Sequence, residues 1–232
     1  VVVAASAPTH ISSALPQTFS TGDALIDRIP VTRPTSKIVE GLNAAQPTVL
    51  IGYPSVLHVL AAEALAGRLR ISPQLVSAVA EPLLPEIRAA LAEAFGAPVV
   101  NGYGASEGGG IAVGCGAGPW LHLSDDLVIV EPVDAAGRPV PAGERAEKLY
   151  LTNLYNHALP LVRYELTDQI ELLDDPTPCP CGSTHRRITD PYGRLDDVFT
   201  FGAVQVHPHL FRSPLSRRPE VVEYQVRQTA VG

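Results

Sequence analysis

At 232 residues, with 46% hydrophobic and 18% charged side chains, the chain is long enough to bury a real core and too apolar to be disordered. A formal charge of -7 argues against a nucleic-acid partner, because clusters such as Arg186-Arg187 and Arg217-Arg218 are too short to make a basic face. No apolar run approaches the roughly 20 residues of a membrane span.

Three cysteines, one isolated and two in a Cys-x-Cys, suit a reducing, cytoplasmic setting better than a disulfide framework. The absence of methionine reads as a piece of a longer frame. Val1 to Ala5 predicts a buried strand without the basic flank or cleavage pattern of a signal peptide, and Ser6 to His10 the loop that leaves it. The Pro, Thr and Ser content of Pro30 to Ser36 suggests an excursion. Thr48 to Tyr53 is the next buried strand, and Pro54-Ser55 opens a helix with Ser55 as its candidate cap. Over Val56 to Leu69, residues Val56, Val59, Leu60, Leu65 and Leu69 recur at near-helical spacing and are expected in the core. Gln74 to Ala80 predicts a third strand, Leu84 to Phe95 a second helix ended near Gly96, and Pro98 to Tyr103 a fourth strand. Strands alternating with helices imply a parallel sheet, whose ligands sit beyond the carboxyl ends of the strands. Tyr53, Ala80-Glu81-Pro82 and Tyr103 fall at such ends, so three loops should surround one pocket.

The stretch from Asn101 to Gly110 holds a ring, a hydroxyl and a carboxylate among glycines that let a backbone approach a ligand closely. A dinucleotide fingerprint starting at Gly102-x-Gly104 fails, because its third glycine would fall at Glu107, where a carboxylate repels a pyrophosphate. A nucleophile elbow fits Gly104-Ala105-Ser106-Glu107-Gly108 to the letter, with Asp168 and His185 following in hydrolase order. An elbow needs a helix directly after its serine, however, and the glycine-dense stretch from Gly108 to Gly118 before Pro119 resists one.

From Leu121 the periodicity changes to hairpins: Asp126 to Glu131, a turn at Ala136 to Pro139, Lys148 to Asn153, then Leu159 to Leu173. Beyond Arg194, a short strand, a helix at His209 to Ser216 and a strand at Val221 to Gln228 are expected to begin a second domain. Cys179-Pro180-Cys181-Gly182 resembles a metal knuckle, and tetrahedral zinc needs two further ligands. Cys115 and His122 are expected to supply them, with His185 in reserve.

Tyr103 to Glu107 resembles the Tyr-Gly-x-Ser/Thr-Glu motif of the adenylate-forming, acyl-CoA synthetase superfamily. Two more motifs come after it in the same order: Arg163 to Asp168 resembles its Tyr-x-x-x-Asp ribose motif, and Gly193 to Asp197 its Gly-Arg-x-Asp hinge. Ala80-Glu81-Pro82, the Cys179 to Gly182 knuckle and the Asp196-Asp197 pair are similar to the phenylacetate-CoA ligase group. The resemblance implies that Tyr103 and Gly104 sit at adenine, that Ala80, Glu81 and Pro82 line it through backbone, and that Ser106 bonds the α-phosphate. It further implies that Glu107 holds Mg²⁺, Asp168 takes both ribose hydroxyls, Arg194 reaches ribose or phosphate, and Asp196 is the hinge. His10 would face the substrate channel, against its plain reading as a solvated loop histidine.

The fold implied is α/β: a parallel sheet with flanking helices over 1–120, an antiparallel β subdomain over 121–193, and the truncated start of a small α+β domain over 194–232. The function implied is ATP- and Mg²⁺-dependent activation of an aryl or arylacetic acid, followed by thioester formation with CoA or a carrier-protein thiol, in a protein that could form a homodimer. The expected phosphate loop and the second-domain lysine have no counterpart between Val1 and Gly232, so the activity is assigned to a parent protein. A serine hydrolase acting through Ser106 and a non-catalytic AMP-binding fragment are the alternatives.

Overall fold

Short runs of β-branched and aliphatic residues, too brief for helices and separated by helical stretches, build a parallel sheet. The computed structural model describes residues 1–5, 25–194, 199–202, 204–206 and 226–229. Its strands β1 (Val2–Ala4), β2 (Arg28–Pro30), β3 (Val49–Gly52), β4 (Leu75–Val79) and β5 (Val99–Ala105) lie in the order β2-β1-β3-β4-β5, all parallel. The same sheet then turns antiparallel through β6 (Gly109–Gly114), β7 (Leu121–Leu123) and β12 (Arg187–Ile188), making eight strands. It therefore runs unbroken across residue 121.

Among the described residues three helices flank the parallel half: α1 (Thr35–Ala45), α2 (Pro54–Leu65) and α3 (Pro85–Phe95). Proline at the first position of α2 and α3 presets the helical φ where no intrahelical N–H is needed. Gly96, at φ 60, ends α3 with its N–H on the Ala92 carbonyl, a turn that glycine adopts without steric cost. Helix α1 starts at the end of the stretch read as an excursion, Pro30 to Ser36. Pro34 stands at its N-cap with an extended ψ of 141, so of the prolines that suggested a loop, Pro30 ends β2 and Pro34 marks a helix start. Its Ile38, Val39 and Leu42 are buried. Of the stripe expected over Val56 to Leu69, Leu60 and Leu69 are buried, whereas Val59 and Leu65 are exposed; on α2 Leu57 and Ala61 join Leu60, because burial follows the i, i+3, i+4 face.

A second, three-stranded antiparallel sheet has the order β10-β9-β8, from β10 (Tyr164–Leu166), β9 (Lys148–Asn153) and β8 (Val128–Val133). The run expected from Leu159 to Leu173 is broken into β10 and β11 (Asp168–Gln169), the latter pairing with β13 (Gly193–Arg194). The last described hairpin pairs β14 (Phe199–Phe201) with β15 (Val204–Val206). One buried cluster, with Leu42, Leu50, Leu57 and Leu91, lies between helices and parallel strands; another, with Ile111, Leu123, Leu149 and Leu151, fills the antiparallel half. His10, Asp196, Asp197 and the helix expected at 209–216 lie outside the described residues, as does most of the strand expected at Val221 to Gln228; residues 226–229 carry no strand. Among the described residues no helix is long and apolar enough to cross a membrane.

Candidate nucleotide site and metal cluster

Strand β5 is where the sheet changes from parallel to antiparallel, and a tight turn of Ser106, Glu107 and Gly108 returns the chain as β6. The Gly108 N–H donates to the Ala105 carbonyl at 3.2 Å, and the register shifts between Tyr103 and Gly104. Glycine is required at this turn by contact: a Cβ on Gly104 would lie 2.6 Å from the Gly109 carbonyl oxygen, and one on Gly108 2.7 Å from Leu151. Gly109 adds a positive φ of 61. A strand, not a helix, comes after Ser106, so the nucleophile elbow is absent and the hydrolase arrangement fails with it.

The turn is held from the second sheet. Asn153, buried at the end of β9, donates Nδ2–H to the Glu107 carbonyl at 3.1 Å, while its Oδ1 accepts from the backbone N–H groups of Tyr155 and Asn156 at 3.0 and 2.8 Å. Motif and spacing do not point to Asn153. Its only signal is a polar residue closing an alternating strand.

Tyr103 is buried, and its hydroxyl has no hydrogen-bond partner among the described residues. Burial, then the Asp168 carboxylate, then Glu107, push its phenol well above the ordinary range, and Arg194 opposes them. Four residues between positions 103 and 194 thus share one electrostatic environment. Asp168 and Arg194 are direct cross-strand partners in the β11–β13 ribbon, and Arg194 Nε–H donates to Thr167 Oγ1 at 3.1 Å. Thr167 is a second residue that spacing does not single out.

The Ala80-Glu81-Pro82 loop leaves β4, the strand beside β5, with Val79 opposite Gly102. Ala80 has φ 64, a left-handed conformation uncommon outside glycine and concentrated at functional loops. The Glu81 carboxylate accepts from Ser55 N–H and Oγ–H, both at 3.1 Å. It thereby satisfies a first-turn N–H of α2 from outside; the N-cap position is Tyr53, whose side chain makes no cap bond, and not the Ser55 that the sequence suggested. A further link joins α3 to the segment before β13: Asp190 accepts from Arg88 and from Asn101, each at 2.7 Å.

A second cluster lies at the β6–β7 junction. Ligand atoms of Cys115, His122, Cys179 and Cys181 all lie within 4.8 Å of one another. Burial opposes ionisation of the Cys179 thiol, but hydrogen bonding from the Cys181 backbone and thiol and from His122 outweighs it and brings the thiol to about 6. His185, the reserve ligand, stands outside the four: its carbonyl faces His122 Nδ1 at 3.2 Å, and its own Nδ1 accepts from the Asp125 N–H at 3.3 Å.

The residues suit a nucleotide. Glycines open the backbone where a Cβ would collide, a buried hydroxyl stands unpartnered, and a carboxylate on β11 lies beside a guanidinium on β13. A profile of the AMP-binding enzyme family matches residues 18–148. The phenylacetate-coenzyme A ligase of Thermus thermophilus is 35% identical over 202 residues, 83% of this chain and 44% of that protein. That of Pseudomonas putida is 33% identical over 187 residues, 75% of this chain and 40% of that one. The chain therefore spans less than half the length of these curated relatives. A crystal structure of 2-hydroxyisobutyryl-CoA ligase in the postadenylation state, in complex with R3-HIB-AMP, superposes with TM-score 0.75 at 23% identity, over 94% of this chain and 48% of that one.

Proposed function

Because the chain belongs to the AMP-binding enzyme family, we propose that its parent protein activates a carboxylic acid with ATP and passes the acyl group to a thiol. The observation that carries this is the convergence of Tyr103, Glu107, Asp168 and Arg194. In the first half-reaction a carboxylate oxygen of the acid attacks the α-phosphorus of ATP and pyrophosphate leaves. In the second, a thiolate attacks the acyl carbon and AMP leaves. Such displacements depend on positioning and charge stabilisation more than on covalent help from the protein.

Each residue has a role that its setting permits. Asp168 accepts from the ribose hydroxyls, since a carboxylate offers two acceptor oxygens. Tyr103 packs against adenine, with the backbone of Ala80, Glu81 and Pro82 along its edge, and Ser106 donates to the α-phosphate. Arg194, held by Thr167 beside Asp168, supplies positive charge toward ribose or phosphate. Glu107 is the carboxylate to hold Mg²⁺, a hard cation that takes oxygen ligands and would offset phosphate charge. Residues 194–232 begin a domain that turns about Asp196 between the half-reactions.

The names of the relatives support an aryl or arylacetic acid as substrate and CoA as acceptor, with a carrier-protein thiol as the second acceptor to assay. Both ATP and CoA point to the cytoplasm. The test is ATP–pyrophosphate exchange by the full-length protein over a panel of carboxylic acids, with Mg-ATP binding followed in parallel. Exchange with an aryl acid is expected. In Asp168→Asn, ATP binding should weaken by about 1–3 kcal/mol, as one oxygen facing the ribose becomes a donor. AMP binding without exchange for any acid would make the protein a nucleotide binder instead, and equal ATP affinity in Asp168→Asn would remove the ribose contact.

A further inference from the structure

We propose that Cys115, His122, Cys179 and Cys181 hold a structural zinc ion, at a site apart from the nucleotide residues and independent of the adenylation reading. The geometry of the four ligand atoms carries it. Cys115 Sγ and Cys179 Sγ are 3.6 Å apart, and Cys181 Sγ is 3.4 Å from His122 Nε2. With Zn–S about 2.3 Å and Zn–N about 2.0 Å, tetrahedral corners stand roughly 3.8 Å apart for two sulfurs and roughly 3.5 Å apart for a sulfur and a nitrogen. Both separations match edges of that tetrahedron. The sulfur pair is far from the roughly 2.05 Å of a disulfide, so the thiols are gathered without being joined.

The surroundings fit the same ion. His122 Nδ1 lies 3.2 Å from the His185 carbonyl; toward a carbonyl it can only donate, which leaves the Nε2 lone pair directed at the cluster. The Ser183 N–H donates to Cys181 Sγ at 3.4 Å, offsetting charge on a thiolate ligand. Gly182, at φ 82, closes the turn with its N–H on the Cys179 carbonyl at 2.9 Å, and that turn is what brings Cys179 and Cys181 into one cluster. Three sulfurs and one nitrogen form a closed set with no open position, the pattern of structural rather than catalytic zinc. Binding releases the thiol protons to solvent and leaves every ligand's redox state unchanged.

The ion joins three segments: the exit of β6, strand β7, and the loop leading to β12, whose strands are neighbours in one sheet. Strand β6 opens on the Glu107 turn, and β12 leads through Asp190 to Arg194, so the metal anchors both arms of the nucleotide site from one side.

The experiment uses the chain purified under reducing conditions without a histidine tag. Elemental analysis should find about one zinc per chain, with the three thiols protected from dithionitrobenzoate until a strong chelator or mercurial releases the metal. Cobalt(II) exchanged into the unaltered chain should show thiolate-to-metal charge-transfer absorption and tetrahedral ligand-field bands. His122→Cys, which keeps four ligands, should retain the metal, and Cys181→Ala should lose most of it. Well under one zinc per chain after exposure to excess metal, with all three thiols open to reagent in the native state, overturns the site. So does iron in its place, or a Cys115–Cys179 disulfide in the reduced preparation.

Discussion

Glu107 sits at the tip of a turn whose backbone is fixed by Asn153 and whose space is limited by Leu151, so its side chain is presented on a rigid support. Removing its charge without changing its size should therefore affect chemistry and not folding. Glu107→Gln in the full-length protein is expected to slow pyrophosphate exchange by about 10²-fold or more with an unchanged circular dichroism spectrum; normal exchange with normal Mg²⁺ dependence would remove Glu107 from the site. Asn153 separates positioning from chemistry. Asn153→Asp keeps the acceptor that serves the Tyr155 and Asn156 N–H groups but loses the donor to Glu107. Exchange should fall in this variant while the thermal midpoint drops by less than in Asn153→Ala, where the unpaired groups cost about 1–3 kcal/mol. Equal losses in the two variants would reduce Asn153 to a fold residue.

At the level of elements, the β5–β6 hairpin decides what the glycine-rich stretch is. Glycine density disfavours a helix after Ser106, and the hairpin explains why the glycines are there: Gly104 and Gly109 pass so close that a side chain at Gly104 meets backbone. Gly104→Ala is expected to destabilise the protein by about 1–3 kcal/mol through forced separation of the two strands, measured by denaturant unfolding. A stability within a few tenths of wild type would show that the hairpin yields without strain. The helices are legible to different degrees. Helices α2 and α3 announce themselves by proline at their first position and an apolar face, whereas α1 is hidden by Pro30 and Pro34, since a proline stands equally well in a loop or at a helix start and only the residues after it decide which.

Over the whole molecule, two buried clusters meet along β5, one under the helices and one between the antiparallel sheets. The Arg88–Asp190–Asn101 link crosses the same divide. Leu91 and Leu151 are both fully buried, one in each cluster. Leu91→Ala and Leu151→Ala should each cost about 2–5 kcal/mol, yet only Leu151→Ala should weaken Mg-ATP binding, because Leu151 packs where the Gly108 Cβ would be and so supports the Glu107 turn. Isothermal titration of both variants at a temperature where each is folded checks this. Equal nucleotide affinity in the two would uncouple the second sheet from the site.

The α/β class, the parallel strands, the two proline-started helices and the Tyr103 to Glu107 loop were determined by local pattern, because a buried strand and an amphipathic helix each leave a period in the chain that nearby residues alone set. The gathering of Cys115, His122, Cys179 and Cys181 into one cluster was legible for a related reason: three cysteines offer few combinations, and a knuckle points two of them one way. Tertiary structure alone decided that β6, β7 and β12 extend the parallel sheet instead of starting a separate one, since pairing between strands joins residues whose separation leaves no trace in composition. It alone set Asp168 opposite Arg194, brought Glu81 to a first-turn N–H of α2, and brought Asn153 to the Glu107 turn. Each of these contacts spans more than twenty residues, and the side chain that makes it is an ordinary polar residue until its partner's position in space is known.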